Sequence, residues 1–440
     1  MKIVLFFLLS FSLYSKNFKI ASYNVENLFD MQLNGTEYES YIPNRHNWTR
    51  KNFQKKLLNI AEVICDIDAD IIALQEIENE HVLKRLKKRL RSIGCYYKYH
   101  AITHKKHSAI QLAMLSKVPI VSSREIEVNK KLKYRPILET KFMVENRAFY
   151  IFNNHWSSKH SKESSRIRSA KVLKKRVLQL PKKTPYLLLG DFNSDYDEYR
   201  HFEKRFNNTG GVVGINHLLK TIQNRKLVRE KDMREYGFKH YNLWLELENY
   251  KRWSHNFYGD REALDSILLP PSLFDGEGID YVNSSFKLFR PKYLFTKKGY
   301  VNRWQYKYGD HLGVGYSDHL PIVATFSTLP YKYDSNRDKV LNGTVKDLYV
   351  KFLKSPIYIK RVKVVSKKRL LATLVQKDRV IYLYGAKELK VGRVYDLIVY
   401  RVKNYKGLQE IIDFTIEKEY HTKNLRDWEL RRCKTIIKRF

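Results

Sequence analysis

The 440-residue chain has only three cysteines, Cys65, Cys95 and Cys433, too few for a disulfide scaffold or a cysteine-based zinc module. Cys65 sits in an apolar helical stretch, which predicts a buried free thiol; whether it meets Cys95 is left open by the spacing. There is no internal repeat and no low-complexity block. Beyond the N-terminus no stretch approaches the roughly 18 apolar residues that suggest a transmembrane helix. Acidic residues are scarce, 46 against 83 Lys plus Arg, for a formal net charge of +37. A surface that positive repels itself, so a polyanionic partner or an anionic surface is the natural inference; a general lysine-rich habit is the plainer alternative. What is present is ample apolar material, 43% hydrophobic with 14% aromatic. That permits a packed core and excludes wholesale disorder. The length suits two or three domains, or one large domain with an appendage.

Met1-Lys2 is a short positive start, residues 3–14 are strongly apolar, and Ser15-Lys16-Asn17 is a small, polar exit. Residues 1–15 therefore read as a secretory signal peptide, and the mature chain as an exported monomer, periplasmic or extracellular. A buried first strand is the alternative.

Residues 18–25 then alternate as a strand does. Phe53, Leu57, Ile60, Ala61 and Ile64 repeat at helical spacing, 70–76 read as a buried strand with a polar end, and 81–93 as a basic helix. Residues 110–116, 136–142, 147–154, 185–190, 263–269 and 320–326 read as strands. Residues 163–180 read as a helix presenting Ile167, Ala170, Leu173, Val177 and Leu180 on one face. Helices mixed with adjacent strands predict an α/β sandwich rather than a strictly alternating fold. The expected organisation is a catalytic domain over 16–327, a linker over 328–356, a small all-β barrel over 357–420 and a basic helix over 421–440. Residues 331–440 carry 28 basic and 12 acidic residues, a net of +16, so the tail is the more basic part per residue.

Polar residues gather at the ends of the apolar strands, where open α/β folds place their sites. Singly each has a dull reading, since a strand-ending Asp or Asn is usually a turn residue. Together they are Ser22-Tyr23-Asn24-Val25-Glu26-Asn27, Leu74-Gln75-Glu76-Ile77-Glu78-Asn79, Asn153-Asn154-His155-Trp156, Leu189-Gly190-Asp191-Phe192-Asn193, Ala263-Leu264-Asp265-Ser266 and Ser317-Asp318-His319-Leu320. In this order they resemble the endonuclease/exonuclease/phosphatase superfamily, which includes deoxyribonuclease I, apurinic endonucleases, inositol phosphatases and bacterial sphingomyelinases. The resemblance spans about 20–327. It implies a four-layer α/β sandwich of the deoxyribonuclease I type and metal-dependent phosphoester hydrolysis.

Asn24, Glu76 and Asp318 are oxygen ligands that suit a hard cation, Mg²⁺ or Mn²⁺, with Ca²⁺ also compatible. By resemblance Glu76 is the main ligand, Asp191 with Asn193 orients or deprotonates the attacking water, and His319 contacts the phosphate with Asp265 fixing its tautomer. His155 is the second histidine of the deoxyribonuclease-I-like branch. The carboxylate that partners it there has no counterpart here, since Gln111 occupies the expected strand. Arg135 resembles the family's phosphate-contacting arginine; a further surface arginine is the alternative.

Residues 357–415 look like an oligonucleotide-binding fold. Tyr382, Tyr384, Tyr395 and Tyr400 among Arg and Lys would let bases stack while cations track phosphates, unless those rings fill the barrel core. The sequence thus predicts an exported, metal-dependent nuclease acting on DNA, or RNA, since a 2′-hydroxyl contact leaves no motif. The rival enzyme is a sphingomyelinase-type phospholipid diesterase, which should carry an exposed apolar hairpin, with 243–245 or 300–304 as the possible sites. A binding protein that has lost its activity is the third reading, and the intact polar set argues against it.

Overall fold

The structure, a computed structural model, describes residues 17–420 except 133, 258 and 334–338. The expected signal segment and terminal basic helix lie outside the described residues. Eight strands and three helices organise the first half: β1 (Asn17–Leu28), α1 (Arg50–Ile67), β2 (Ile71–Ile77), α2 (Glu80–Ser92), β3 (Tyr99–Ile102), β4 (Gln111–Ser116), β5 (Ile120–Ile126), β6 (Ile137–Val144), β7 (Arg147–His155), α3 (Glu163–Val177) and β8 (Tyr186–Asp191).

The strands form two facing sheets. One runs Asp280–Tyr281, Ile322–Ser327, β1, β2, β4, β3; the other runs Tyr241–Asn242, Asp265–Leu269, β8, β7, β6, β5. Phe18 and Phe149 meet between them with ring centroids 5.5 Å apart, beside buried Ile151, Leu187 and Leu189. Phe53, Leu57, Ile60 and Ile64 of α1 and Leu83, Leu86 and Leu90 of α2 cover the outer face of the first sheet. Ala170, Leu173 and Val177 of α3 cover the other against Phe152 and Leu188. Because a strand shows alternate side chains to opposite faces, these runs, apolar on both, are enclosed on both, giving a four-layer α/β sandwich. The α3 face differs from the one expected: Ile167 is half-buried, and Glu163 with Arg166 is buried instead. Their side chains pair at 2.6 Å, and Arg166 also donates to the Ser158 carbonyl, which satisfies charges that would otherwise be costly to enclose.

Cys65 and Cys95 are joined, with Cα atoms 5.6 Å apart, which corrects the expectation of a free thiol. The helical spacing placed Cys65 near the apolar stripe, but its side chain is only half-buried and lies at the edge of α1, where the turn after α2 reaches it. Among the described residues no helix is long and apolar enough to cross a membrane.

The C-terminal unit has five main strands: Ile357–Lys368, Leu371–Gln376, Arg379–Tyr384, Val394–Tyr405 and Leu408–Tyr420. Their order is first, second, third, fifth, fourth, and the fourth pairs back onto the first, closing a barrel. The third and fifth are parallel and the other pairs antiparallel. Part of the expected linker belongs to this barrel: Leu341–Gly343 adds a strand beside Ile357–Ile359, and Val345 and Leu348 are buried in its core.

The barrel docks on the sandwich through a buried ion pair, Arg252 Nη2 to Asp413 Oδ1 at 2.6 Å. Arg200 pairs with Glu388 at 3.1 Å, and the Arg229 guanidinium lies 3.9 Å from the Tyr400 ring centre. Two of the four expected base-stacking rings are thereby engaged: Tyr400 under Arg229, and Tyr384 edge-on to Tyr250 at 5.8 Å. Tyr395 is 1% exposed and belongs to the barrel core, which corrects its assignment to a ligand face. Only Tyr382 is outside these contacts.

Candidate active site

The site is assembled at adjoining strand ends of the two sheets. In the second sheet His155 at the end of β7 is in register with Asp191 at the end of β8, and Asp191 with Asp265 on the next strand. Three polar residues therefore stand in a row across three strands. Gly190 makes the row possible: it has φ +122°, and a Cβ there would run into the backbone carbonyl of Asn154. In the first sheet β1 and β2 are in register up to Asn24 and Gln75, and the ladder then breaks. Glu76 takes φ +67°, a left-handed conformation unusual for a glutamate, and Asn193 φ +47°, which asparagine adopts readily.

Asn24 links the sheets. Its Nδ2 donates to Glu76 Oε1 at 3.0 Å and to Asp191 Oδ2 at 3.1 Å, while its Oδ1 accepts the Glu26 amide at 3.1 Å. The Asn27 amide donates to Glu76 Oε2 at 2.9 Å. Asp191 Oδ1 accepts the Asn193 amide at 2.8 Å. The His155 Nε2 lies 3.5 Å from Asp191 Oδ2 and 3.6 Å from Glu76 Oε1. The His319 Nδ1 is 2.7 Å from Asp265 Oδ2, and its Nε2 faces Asp191 at 3.9 Å.

Charge follows burial and partnership. Burial pushes the Asp191 carboxyl up to about 7, opposed by His319 and reinforced by Asp265. Burial and then Asp318 raise Glu76. Burial disfavours the His319 cation, but Asp265, Asp318 and Asp191 overcome this and hold it well above the usual histidine range. His155 goes the other way, lowered by burial and by its neighbours Arg135 and His319. The two histidines are therefore a cation and a neutral ring.

Each residue singled out from the sequence has a definite position. Asn24, Glu76, His155, Asp191, Asn193, Asp265 and His319 converge. Asp318 joins them beside Arg303 at 3.6 Å and His255 at 3.8 Å. Arg135 is brought in as well: its Nη1 donates to the Trp156 carbonyl at 3.2 Å, the same oxygen that accepts from Asn193 Nδ2 at 3.1 Å. Among the described residues no carboxylate meets the buried His155 Nδ1, which has no hydrogen-bond partner; Gln111 instead accepts from Thr103 at 2.9 Å.

Sequence reasoning missed three neighbours. Glu26 and Arg303 form an ion pair, and the Glu26 Oε2 also accepts the Trp304 amide at 3.1 Å. His255 lies with its ring centre 4.8 Å from that of His319. Glu26 stood inside a quoted motif, whereas His255 and Arg303 come from segments with no regular pattern.

Two donor groups here are tight enough for a metal ion, His255 with Asp318 and His319, and Asp191 with Asp265 and His319, each with ligand atoms within 4.8 Å of one another. The expected set of Asn24, Glu76 and Asp318 adjoins both. Of the two positions expected for an apolar hairpin, 243–245 is not at the surface: Leu243, Trp244 and Leu245 are buried, and Trp244 Nε1 donates to the Asp265 carbonyl at 2.6 Å. At the other, Val301 and Trp304 are buried and Tyr300 is exposed.

Residues 19–209 match the sequence model of the Endonuclease/Exonuclease/phosphatase family; Asp265, Asp318 and His319 lie beyond the matched stretch. No curated protein sequence matches the chain. Among solved structures, D. rerio TDP2 complexed with a single-strand DNA product is similar at 16% identity, covering 70% of this chain and 98% of that one with a TM-score of 0.45. A family protein from Bacteroides thetaiotaomicron gives 15%, 72%, 99% and 0.41, and one from Bacteroides vulgatus gives 14%, 71%, 98% and 0.44. The matched stretch, residues 19–209, holds Asn24, Glu76, Arg135, His155, Asp191 and Asn193, and it is this part of the chain that is similar to the endonuclease/exonuclease/phosphatase family.

Proposed function

We propose that the protein is an exported, divalent-metal-dependent nuclease that hydrolyses phosphodiester bonds of DNA, with RNA as the alternative polymer. The observation that carries this reading is the single cluster made by Asn24, Glu76, Asp191, His155 and the Asp265–His319 pair. The net charge of +37 supports a polyanionic substrate.

The donor set fits a hard cation, because burial first and neighbouring carboxyls second raise the proton affinity of Glu76 and Asp191, a cost that a bound cation would offset. Glu76 and Asp318 would hold Mg²⁺ or Mn²⁺, joined by Asn24 once its amide turns the oxygen toward the carboxylates that its Nδ2 faces here, and the ion would supply neutralisation of the charge developing on the phosphoryl oxygens. Asp191, held by the Asn193 amide and Asn24, is the base for the attacking water, with a proton affinity suited to neutral pH. Cationic His319, fixed by Asp265, stabilises the phosphate. Neutral His155 presents Nε2 to the same space, and Arg135 adds a positive charge at its rim.

A phospholipid diesterase is the second reading, favoured by the small hairpin of Tyr306–Lys307 and Asp310–His311, whose Tyr308 is fully exposed. Purified protein incubated with plasmid DNA, RNA and sphingomyelin vesicles, each with Mg²⁺ and with chelator, separates the readings. The nuclease reading expects Mg²⁺-dependent cleavage of nucleic acid and intact lipid. Lipid hydrolysis with nucleic acid intact would replace it.

A further inference from the structure

Trp253 is buried, and two guanidinium groups approach its ring. Arg261 lies 4.6 Å from its ring centre and Arg290 5.4 Å, the latter also 5.3 Å from the Phe295 ring. Both arginines are exposed, and among the described residues neither forms an ion pair. Each therefore has a full set of fork-like donors free for an anion. Burial, and after it the charge of Arg261, hold Arg290 below the usual arginine range. Stacking on one indole holds the pair together nonetheless. Two fixed guanidiniums without a carboxylate are the chemistry that recognises a phosphate bidentately.

The position of this pair is informative. Trp253 precedes His255 by two residues, and His255 bridges to His319 across the site. Arg261 pairs with Asn256 in the hairpin where His255 pairs with Glu262, so one ladder step separates Arg261 from the residue opposite His255. Arg261 and Trp253 also line a cleft between sandwich and barrel, together with Tyr250, Tyr384 and Lys387. Lys387 of the barrel reaches the Arg261 carbonyl at 3.5 Å.

We propose that Arg261 and Arg290 form a binding site for the phosphodiester next to the one being cleaved, with its nucleotide directed into the cleft between the two units. The inference rests on the nuclease reading and deepens it. The site selects a polymer over an isolated phosphate ester, and it explains why the barrel is docked rather than tethered: one wall of the cleft is the barrel's.

The test compares the full-length wild type with Arg261→Ala/Arg290→Ala on a short single-stranded oligonucleotide and on bis(4-nitrophenyl) phosphate, which has a single phosphate. A charge-assisted contact of this kind is worth at least about tenfold. KM for the oligonucleotide should rise at least about tenfold, while kcat/KM for the small diester stays within about twofold. Arg261→Lys/Arg290→Lys, which keeps the charge and loses the fork, should fall between. Oligonucleotide binding followed by fluorescence anisotropy in chelator, where no cleavage occurs, should weaken by the same factor, with the log–log salt slope shallower by roughly 0.7 for one lost phosphate contact. An unchanged KM and Kd would overturn the site. Equal losses on both substrates would overturn it too, by moving the arginines to the reaction centre. Wild type that hydrolyses neither substrate would instead remove the nuclease reading, and the anisotropy comparison would still decide whether the arginines bind a strand.

Discussion

Replacing Arg252 by Met removes one half of a buried ion pair that spans the two units. The Arg252 and Asp413 side chains are 2% and 1% exposed, at 2.6 Å. Arg252 also donates from Nε to the Leu247 carbonyl at 2.9 Å. Left alone, the Asp413 carboxylate keeps only Arg401, 3.9 Å away. Breaking a buried pair from one side costs about 3–5 kcal/mol because the remaining charge stays desolvated. Arg401 offsets part of this, so we expect about 3 kcal/mol of lost docking, a factor of roughly 100 in the docked population. Arg252→Met/Asp413→Leu removes both charges and should lie within about 1 kcal/mol of wild type, since apolar replacement of a buried pair is often neutral. Native-state hydrogen exchange of the amides in Leu408–Tyr420 reads the opening directly, without assuming that a two-unit chain unfolds in one step. Single and double variants that open equally would refute the argument. So would a single variant within about 0.5 kcal/mol of wild type, the range of an ordinary surface change.

Glu76→Gln keeps the shape of the side chain but not its charge; cleavage should fall at least about a hundredfold and recover in part at high Mg²⁺ or Mn²⁺, and near-normal turnover at low metal would remove Glu76 from the site. Asp265→Asn deprives His319 of its carboxylate partner, so kcat should drop about 10²–10⁴-fold with KM little changed. Combined with His319→Ala it should cost no more than His319→Ala alone, because the two act as a unit; additive losses would give Asp265 a separate role. His240 is fully buried between the Tyr186 hydroxyl at 3.0 Å and the Leu219 carbonyl, and burial holds it down at about 4. The unfolded chain binds that proton from about pH 6.5 downward while the folded one does not. The fold should therefore lose stability as pH falls from about 6.5 to 4, by about 3 kcal/mol from this residue. His240→Phe should flatten that limb in urea titrations, and an unchanged limb would show that other groups govern it.

The same physics explains what could be read from the chain and what could not. The sandwich strands were legible because both of their faces are enclosed, so runs such as Leu187-Leu188-Leu189 have no polar interruption until Gly190-Asp191. Each chemical residue at such an end is announced by the abrupt change from apolar to polar, which is why Asn24, Glu76, His155 and Asp191 could be picked out. Asp265 could be picked out likewise, at the start of the strand Asp265–Leu269. His255, Arg303 and Arg261 follow another logic. They lie on short strands and turns of 250–316, positioned by individual contacts such as the Leu320 amide on the Ser254 carbonyl at 2.8 Å, and such contacts have no period. The barrel shows a third case. Alternation reveals which side chains leave its core, and it separates Leu383 from Tyr382 and Tyr384 correctly, but it does not say what covers an outward residue. Tyr384 and Tyr400 look as available as Tyr382 in the sequence, yet they are taken up by Tyr250 and Arg229 of the sandwich. The outward rings expected to stack bases are thus in part the rings that hold the barrel against the sandwich, which moves the proposed strand-binding surface from the barrel alone to the seam, where Lys387 reaches the Arg261 carbonyl near the proposed site.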